Sequence, residues 1–336
     1  REQRQAYVDD HYEWVRTEVC ESRNLTTAQF DDIIDSKIAL IASDAIELGL
    51  IDTLSRWSEL DKVIESVTGG GKSRIESAMM TDYVEAYTDW GNPPHIAVVY
   101  GQGVCAMDRG INARKLEKIF GRLKDDSDVK GVVFRVDSPG GDGMASDVVA
   151  EALRKCAEKK PVIVSQGQVA GSGGYWISMY GDTIVAGPNT ITGSIGVIGL
   201  WIWDKEFSDK LGMTSDHVKR GEHADLGFGV KLPLLGVQVP ARDLNKEEHA
   251  RMETLIKEFY SIFVNKVADG RNMEVSRVEQ IAEGRFYSGV DGEHIGLVDK
   301  VGGLSHAIQI ARAAADIPSD QYAKIIEIPE NKGLIN

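Results

Sequence analysis

Eight residues, Val169–Trp176, read Val-Ala-Gly-Ser-Gly-Gly-Tyr-Trp and set one hydroxyl, Ser172, among glycines. The apolar run Pro161–Ser165 ahead of them predicts a buried strand, and Ile177–Tyr180 behind them reads as the body of a helix. A serine where a strand hands over to a helix is how a nucleophilic hydroxyl is presented. The glycines permit a tight backbone and leave room for a substrate carbonyl, and the helix N-terminus aims N–H groups at developing negative charge. A serine that merely caps a helix beside turn glycines has the same local pattern.

Acyl transfer needs a nucleophile, a base and N–H donors for the oxyanion. The donors are expected from Gly173 together with Gly140 or Gly141 of a second loop, Asp137-Ser138-Pro139-Gly140-Gly141, which is otherwise a plain Pro-Gly turn. Glycine loops that open helices also bind phosphate, but neither Gly-x-Gly-x-x-Gly nor a Walker pattern is present, so a nucleotide site is the weaker reading. A third stretch, Thr192–Gly199, is either a strand with glycines for close packing or one in which Ser194 orients a base and the backbone lines a substrate groove. None of the seven histidines lies in a setting that suggests a triad partner. A desolvated lysine is the other route to a base, because burial lowers its pKa toward neutrality.

The elements that must position these loops alternate. Strand His95–Tyr100, helix Ala113–Leu123, strand Gly131–Val136, helix Met144–Glu158, strand Val162–Ser165 and strand Thr183–Ala186 are expected in turn. This is the pattern of a mostly parallel α/β sheet, whose ligands gather beyond the carboxyl ends of the strands, so the two glycine loops should face one cleft.

The two ends of the chain repeat one plan. A helix pattern over Arg1–Arg23 leads to Arg23-Asn24, a short helix around Gln29–Ile34, and Gly49-Leu50-Ile51-Asp52. An amphipathic helix over Lys246–Ala268 leads to Arg271-Asn272, a short helix at Val275–Ala282, and Gly296-Leu297-Val298-Asp299, offset by 248 residues at the first marker and 247 at the second. A copy spaced by a whole domain suggests tandem duplication. Residues 1–66 then read as the helical tail of an earlier repeat, 67–93 as a linker, and 94–330 as the catalytic unit.

Composition excludes several classes. A net charge of −14 argues against nucleic acid and against electrostatic docking on an anionic membrane. The uncharged stretch Asn189–Trp203 is too short and glycine-rich to span a bilayer, and no signal-peptide pattern opens the chain. Cys20, Cys105 and Cys156 lack metal-like spacing, and neither metal nor cofactor is expected. The first residue is Arg rather than Met, as in a processed product or a piece of something longer.

Together, Asp137-Ser-Pro-Gly-Gly, Ala170-Gly-Ser-Gly-Gly-Tyr-Trp and Thr192-Gly-Ser-Ile-Gly-Val resemble the signal peptide peptidase (protease IV) family of Ser/Lys peptidases, over about His95 to Ile328. The resemblance implies a Clp protease/crotonase-like fold of repeated ββα units. It also implies Ser172 as nucleophile, Ser194 as holder of a lysine amine, and an oxyanion hole at Gly141 (or Gly140) and Gly173. The tandem plan looks like the family's long form, in which two units are fused and the first supplies the lysine. Where short forms carry that lysine in a Gly-x-x-Lys-Asp stretch, this sequence reads Gly221-Glu222-His223-Ala224-Asp225, with Ala224 at the lysine position. The base is therefore expected upstream, and Lys219, His223 and Lys231 are expected on the surface or a groove rim. The apolar stretches Leu200–Trp203 and Phe228–Val239 suggest a groove for apolar peptides such as cleaved signal peptides. By resemblance, the protein is a membrane-associated, ring-like homo-oligomer (a tetramer favoured) on the extracytoplasmic face of a bacterial inner membrane, its anchor outside this sequence. Two other readings remain open: a crotonase-type acyl-CoA hydratase or isomerase, and an incomplete peptide-binding scaffold.

Overall fold

The computed structural model describes residues 2–69, 93–213, 216–232 and 237–329. Most of the expected linker, and part of the Phe228–Val239 stretch, thus lie outside the described residues. In chain order the elements are α1 (Glu2–Arg23), α2 (Thr27–Ser36), α3 (Ala42–Glu47), α4 (Leu60–Thr68), β1 (His95–Gln102), α5 (Ala113–Asp125), β2 (Val129–Ser138), α6 (Gly143–Ala157), β3 (Val162–Gly171), α7 (Gly173–Trp176), β4 (Thr183–Ala186) and β5 (Ile191–Gly193). There follow α8 (Phe207–Lys210), β6 (Gly229–Leu232), β7 (Val237–Pro240), α9 (Lys246–Arg271), α10 (Val275–Ile281), β8 (Phe286–Tyr287), α11 (Gly289–Ile295), β9 (Lys300–Val301), α12 (Leu304–Ala314) and β10 (Lys324–Ile328). Two compact units result: Ser55–Val197 with Phe259–Asn336, and Arg1–Leu54 with Ile198–Glu258.

The first of these is the sheet unit. Its strands run in the order β10-β1-β2-β3-β4-β9, and all of these pairs are parallel. The mixed α/β class with a mostly parallel sheet is therefore the one the alternating pattern predicts. Val99, Val132, Phe134 and Val164 pack one face under α5 and α6, while Ile96, Val98, Val133 and Ile163 pack the other with α12. Strands covered on both sides must be apolar on both, which is why they appear as unbroken apolar runs. On α5, Leu116, Phe120 and Leu123 are buried at helical spacing and Asn112 caps the start, its side chain accepting from Lys115 N–H at 3.1 Å.

Strand β3 does two jobs. Its first half, Ile163–Gln166, pairs with β4, and its second half, Val169–Gly171, pairs with β5. Strands β2 and β3 thus run further than their apolar cores suggest, and they deliver the two glycine loops at their carboxyl ends. Helix α7 is shorter than the pattern predicts: Ile177–Tyr180 forms turns instead of a helix body. Asp182 N–H bonds Val162 O at 2.9 Å and Gly181 N–H bonds Ser178 O at 3.1 Å, so the chain turns back at once to form β4.

The repeated markers share local geometry. In one copy Arg23 pairs with Asp52 at 2.7 Å; in the other Arg271 pairs with Asp299 at 2.6 Å. Asn24 and Asn272 are both left-handed, at φ 53° and 49°, as are Gly49 and Gly296, at 70° and 86°. Leu50 and Ile51 N–H both bond Ala45 O, and Leu297 and Val298 N–H both bond Gly292 O.

The second unit holds a buried ionic network where the sequence suggests only surface groups. His223, expected on the surface or a groove rim, is buried, with Nδ1 2.8 Å from Oε1 of Glu248, whose side chain is fully buried. Arg242 donates to both oxygens of Glu248 (2.7 and 2.8 Å) and to both of Asp225 (2.9 and 3.0 Å). Residues on either side of Ala224 are thereby anchored. Arg242 holds the Glu248 carboxyl down to about 2 and the Asp225 carboxyl below the usual carboxylate range. A depressed folded-state pKa adds stability above the ordinary value, 4.5 for Glu248, that is lost as pH falls through the folded value. Arg242→Met should therefore cost about 3 kcal/mol at pH 7 by chemical unfolding, the low end for a broken buried pair. The difference from the parent should shrink steadily as pH is lowered from about 4.5 toward about 2.

Candidate active site

The two strand ends bring the sequence-predicted residues together. In the β3–β5 register Gly171 lies opposite Gly193, so Ser172 and Ser194 leave adjacent parallel strands side by side. Ser172 N–H bonds Gly193 O at 2.9 Å, Ser194 N–H bonds Arg285 O at 2.8 Å, and a Cβ built on Gly171 would lie 3.5 Å from that of Ser194. Both serines have positive φ, 54° and 50°.

Ser172 occupies the N-cap position of α7 but does not behave as a cap. Its φ and ψ are 54° and −120°, outside the β-region of ordinary caps, and its side chain makes no cap hydrogen bond. Such backbone costs about 1–3 kcal/mol and persists only where its surroundings over-determine it. Here Tyr175 and Trp176 N–H both bond Ser172 O at 3.0 Å. The hydroxyl is thus presented at a tight strand-to-helix turn, on partly exposed ground.

Gly140 and Gly141 lie against this turn. A Cβ on Gly140 (φ 104°) would stand 2.8 Å from both Gly173 N and Ser172 Cβ, and one on Gly173 would stand 3.2 Å from Gly141 N. The loop is held by a parallel bridge to Cys105: Cys105 N–H bonds Gly140 O and Asp142 N–H bonds Cys105 O, both at 2.8 Å. That pattern turns the Gly141 N–H away from the bridge. The Gly140 N–H is engaged by Ser138 Oγ at 3.1 Å. Among the described residues no acceptor takes the N–H of Gly141 or of Gly173, the first residue of α7. Two unclaimed donors therefore stand beside the Ser172 turn, the arrangement a developing oxyanion requires.

Several contributors escape a reading of motifs. Ser138 closes the loop from inside, Ser146 Oγ fills the space beside Gly173, and Asp142 caps α6, accepting from Ala145 N–H at 2.7 Å. An aspartate just ahead of an apolar helix is itself a cap signal, so Asp142 was recoverable from sequence. Cys105, the thiol nearest the loop, is buried, and burial pushes its pKa up. It stays protonated and is no rival nucleophile. The tyrosine of the motif, Tyr175, is buried with its hydroxyl donating to Leu297 O at 2.9 Å, a packing role. Among the described residues no helix is long and apolar enough to cross a membrane.

The site's tightness is testable against an open glycine. Gly140→Ala should lose at least about 2 kcal/mol, since both its φ and its backbone neighbours forbid a Cβ. Gly121, inside α5 with nothing within 4 Å, should instead gain about 0.5–1 kcal/mol as Gly121→Ala, both read by thermal unfolding.

Comparison with known proteins bears on this geometry. The profile of Peptidase family S49 matches residues 154–318. The chain is 35% identical to "Serine protease SPPA, chloroplastic" of Arabidopsis thaliana, over 71% of this chain and 35% of that protein. It is 32% identical to "Protease 4" of Haemophilus influenzae, over 80% of this chain and 43% of that one. The chain thus spans less than half the length of each of these two relatives. A putative protease of Methanocaldococcus jannaschii is 35% identical over 66% of this chain and 68% of its own length. Among solved structures, a ClpP1 mutant from Listeria monocytogenes aligns over 63% of this chain and 94% of its own, with a TM-score of 0.42 and 13% identity. With three ordered motifs meeting at one strand-end turn and a relative matched over two thirds of its length, the chain belongs to peptidase family S49.

Proposed function

We propose that the chain is the nucleophile-bearing part of a serine endopeptidase that uses a Ser/Lys dyad. The observation that carries the reading is the strained Ser172 turn with the unclaimed Gly141 and Gly173 N–H groups beside it. Ser172 Oγ attacks a peptide carbonyl carbon and passes its proton to a neutral lysine amine. The carbonyl oxygen, now negative, accepts from the two glycine N–H groups. Collapse expels the amine, which takes the proton from the lysine, and water then hydrolyses the acyl-enzyme by the same route. Ser194, beside Ser172 on the next strand, holds the lysine amine in place.

The lysine comes from an upstream unit. Ala224 at the position of the short-form lysine supports this. So does the duplicated Arg–Asp pair, which supports a tandem protein whose earlier repeat ends near residue 66. The linker over 67–93 and a catalytic unit over 94–330 complete this division. Apolar peptides, cleaved signal peptides among them, are the proposed substrates. Ile198, Leu200 and Ile202 alternate along an irregular segment with 96%, 82% and 60% of their surfaces exposed, which suits such substrates or contacts between copies. A ring-like homo-oligomer at the extracytoplasmic membrane surface follows from the same family reading. A crotonase-type site would share the paired N–H donors but has no use for a serine at 172.

Hydrolysis of a fluorogenic apolar peptide by this chain, alone and extended upstream by one unit, tests the proposal. Activity is expected only in the extended chain, abolished by Ser172→Ala and lowered about 10²-fold by Ser194→Ala. Ser172-dependent turnover by the short chain would refute the upstream base. Peptide binding with no turnover in either would support a scaffold instead.

A further inference from the structure

The two donor glycines stand at the starts of separate helices, Gly141 just before α6 and Gly173 as the first residue of α7, and one carboxylate joins those helices. Gly141 sits just ahead of α6, whose first residue is Gly143; Asp147 is one turn further along. Gly173 begins α7, and Trp176 ends it. Trp176 Nε1 donates to Asp147 Oδ1 at 3.3 Å. Lys266 of α9 reaches the same oxygen at 2.8 Å, and Arg56 reaches Oδ2 at 2.8 Å. Trp176 is thus about one helical turn from Gly173, and Asp147 lies one turn inside the helix that Gly141 precedes.

The indole has little freedom to do anything else. Trp176 is buried and stacks on Phe263 and Phe259 at ring-centroid distances of 4.3 and 5.4 Å. Phe259 also fills the space beside Gly143, so the same aromatic side chain touches the start of α6 and the end of α7. Stacking alone would fix the ring plane but allow the two helices to slide along it. The Asp147 hydrogen bond removes that freedom. Charge keeps the carboxylate in place: Arg56 spans Asp147 and Glu151 (3.7 Å), and Lys155, two turns on from Asp147 in α6, binds Ser58 at 2.8 Å and Glu59 at 3.4 Å. The short segment Arg56–Glu59, which the duplication assigns to the tail of the earlier repeat, therefore grips the helix that carries the Gly141 loop.

We infer that Asp147 is a positioning residue that sets the separation of the Gly141 and Gly173 N–H groups through Trp176, with Arg56 bracing it from the preceding repeat's tail. The inference rests on Ser172 being the nucleophile. The bridge acts on the tetrahedral state, where both donors must reach one oxygen, and not on ground-state peptide binding.

The test compares two ligands in the chain extended upstream. A peptidyl boronate forms a tetrahedral Ser172 adduct; the matching uncleavable peptide amide is titrated into the Ser172→Ala background. Trp176→Phe keeps the stack and removes the donor. It should weaken the boronate about tenfold and lower kcat similarly, while the amide affinity and KM stay within about twofold. Asp147→Ala should do the same, and adding Trp176→Phe to it should cost nothing more. Arg56→Lys should retain most of the boronate affinity that Arg56→Ala loses. An unchanged boronate affinity in Trp176→Phe, equal weakening of both ligands, or additive losses in the double variant would overturn the inference. A boronate that binds Ser172→Ala as well as the parent would instead overturn the nucleophile reading beneath it.

Discussion

Everything at this site depends on one backbone constraint: a serine held in left-handed conformation at the end of a buried parallel strand. β3 and β5 end in register, and each is followed by a serine whose φ no ordinary strand or helix residue adopts. An L-residue leaves that conformation unless its neighbours forbid it. They do so here through hydrogen bonds on both sides: Ser172 N–H to Gly193 O, and Ser172 O to the first turn of α7. Glycine at 140 then lets a second loop approach to within van der Waals contact of the turn. Any side chain there would push the loop and Ser172 apart.

The sheet supplies rigidity that the loops lack. Apolar side chains on both faces of β1, β2 and β3 leave little room for their strand ends to move, and helices α5, α6 and α12 close those faces. Aromatic stacking between α7 and α9 extends the packed region to the far side of the turn. The proposed oxyanion donors are therefore backbone groups on well-packed elements, which is where preorganised electrostatics costs least during a reaction.

The second unit obeys a different logic. Its Arg242, Glu248 and Asp225 are close-paired charges in place of an apolar core, with His223 hydrogen-bonded to Glu248. Such networks are poor sources of net stability but exacting about geometry, since one missing partner strands the rest. The network brackets Ala224 and so holds in shape the segment that the proposed function leaves without a base of its own.

Much of this was legible in the linear chain. The alternation of strands and helices, the parallel sheet class, the glycine-flanked serines and the duplicated Arg-Asn and Gly-x-x-Asp markers are local patterns, governed by periodicity and backbone sterics that act over a few residues. What lay beyond it was everything that depends on which groups meet. The choice between Gly140 and Gly141 as the free donor turns on Ser138 Oγ and on the bridge to Cys105, 35 and 36 residues away. The end of α7 at Trp176 follows from the chain having to re-enter the sheet as β4, and the burial of His223 follows from Glu248 on another element. Sequence by itself determined the kinds of residue and the turns they could make. Only the tertiary structure decided which N–H groups were left unclaimed, because hydrogen-bond partners distant in the chain compete for them and folding settles the competition.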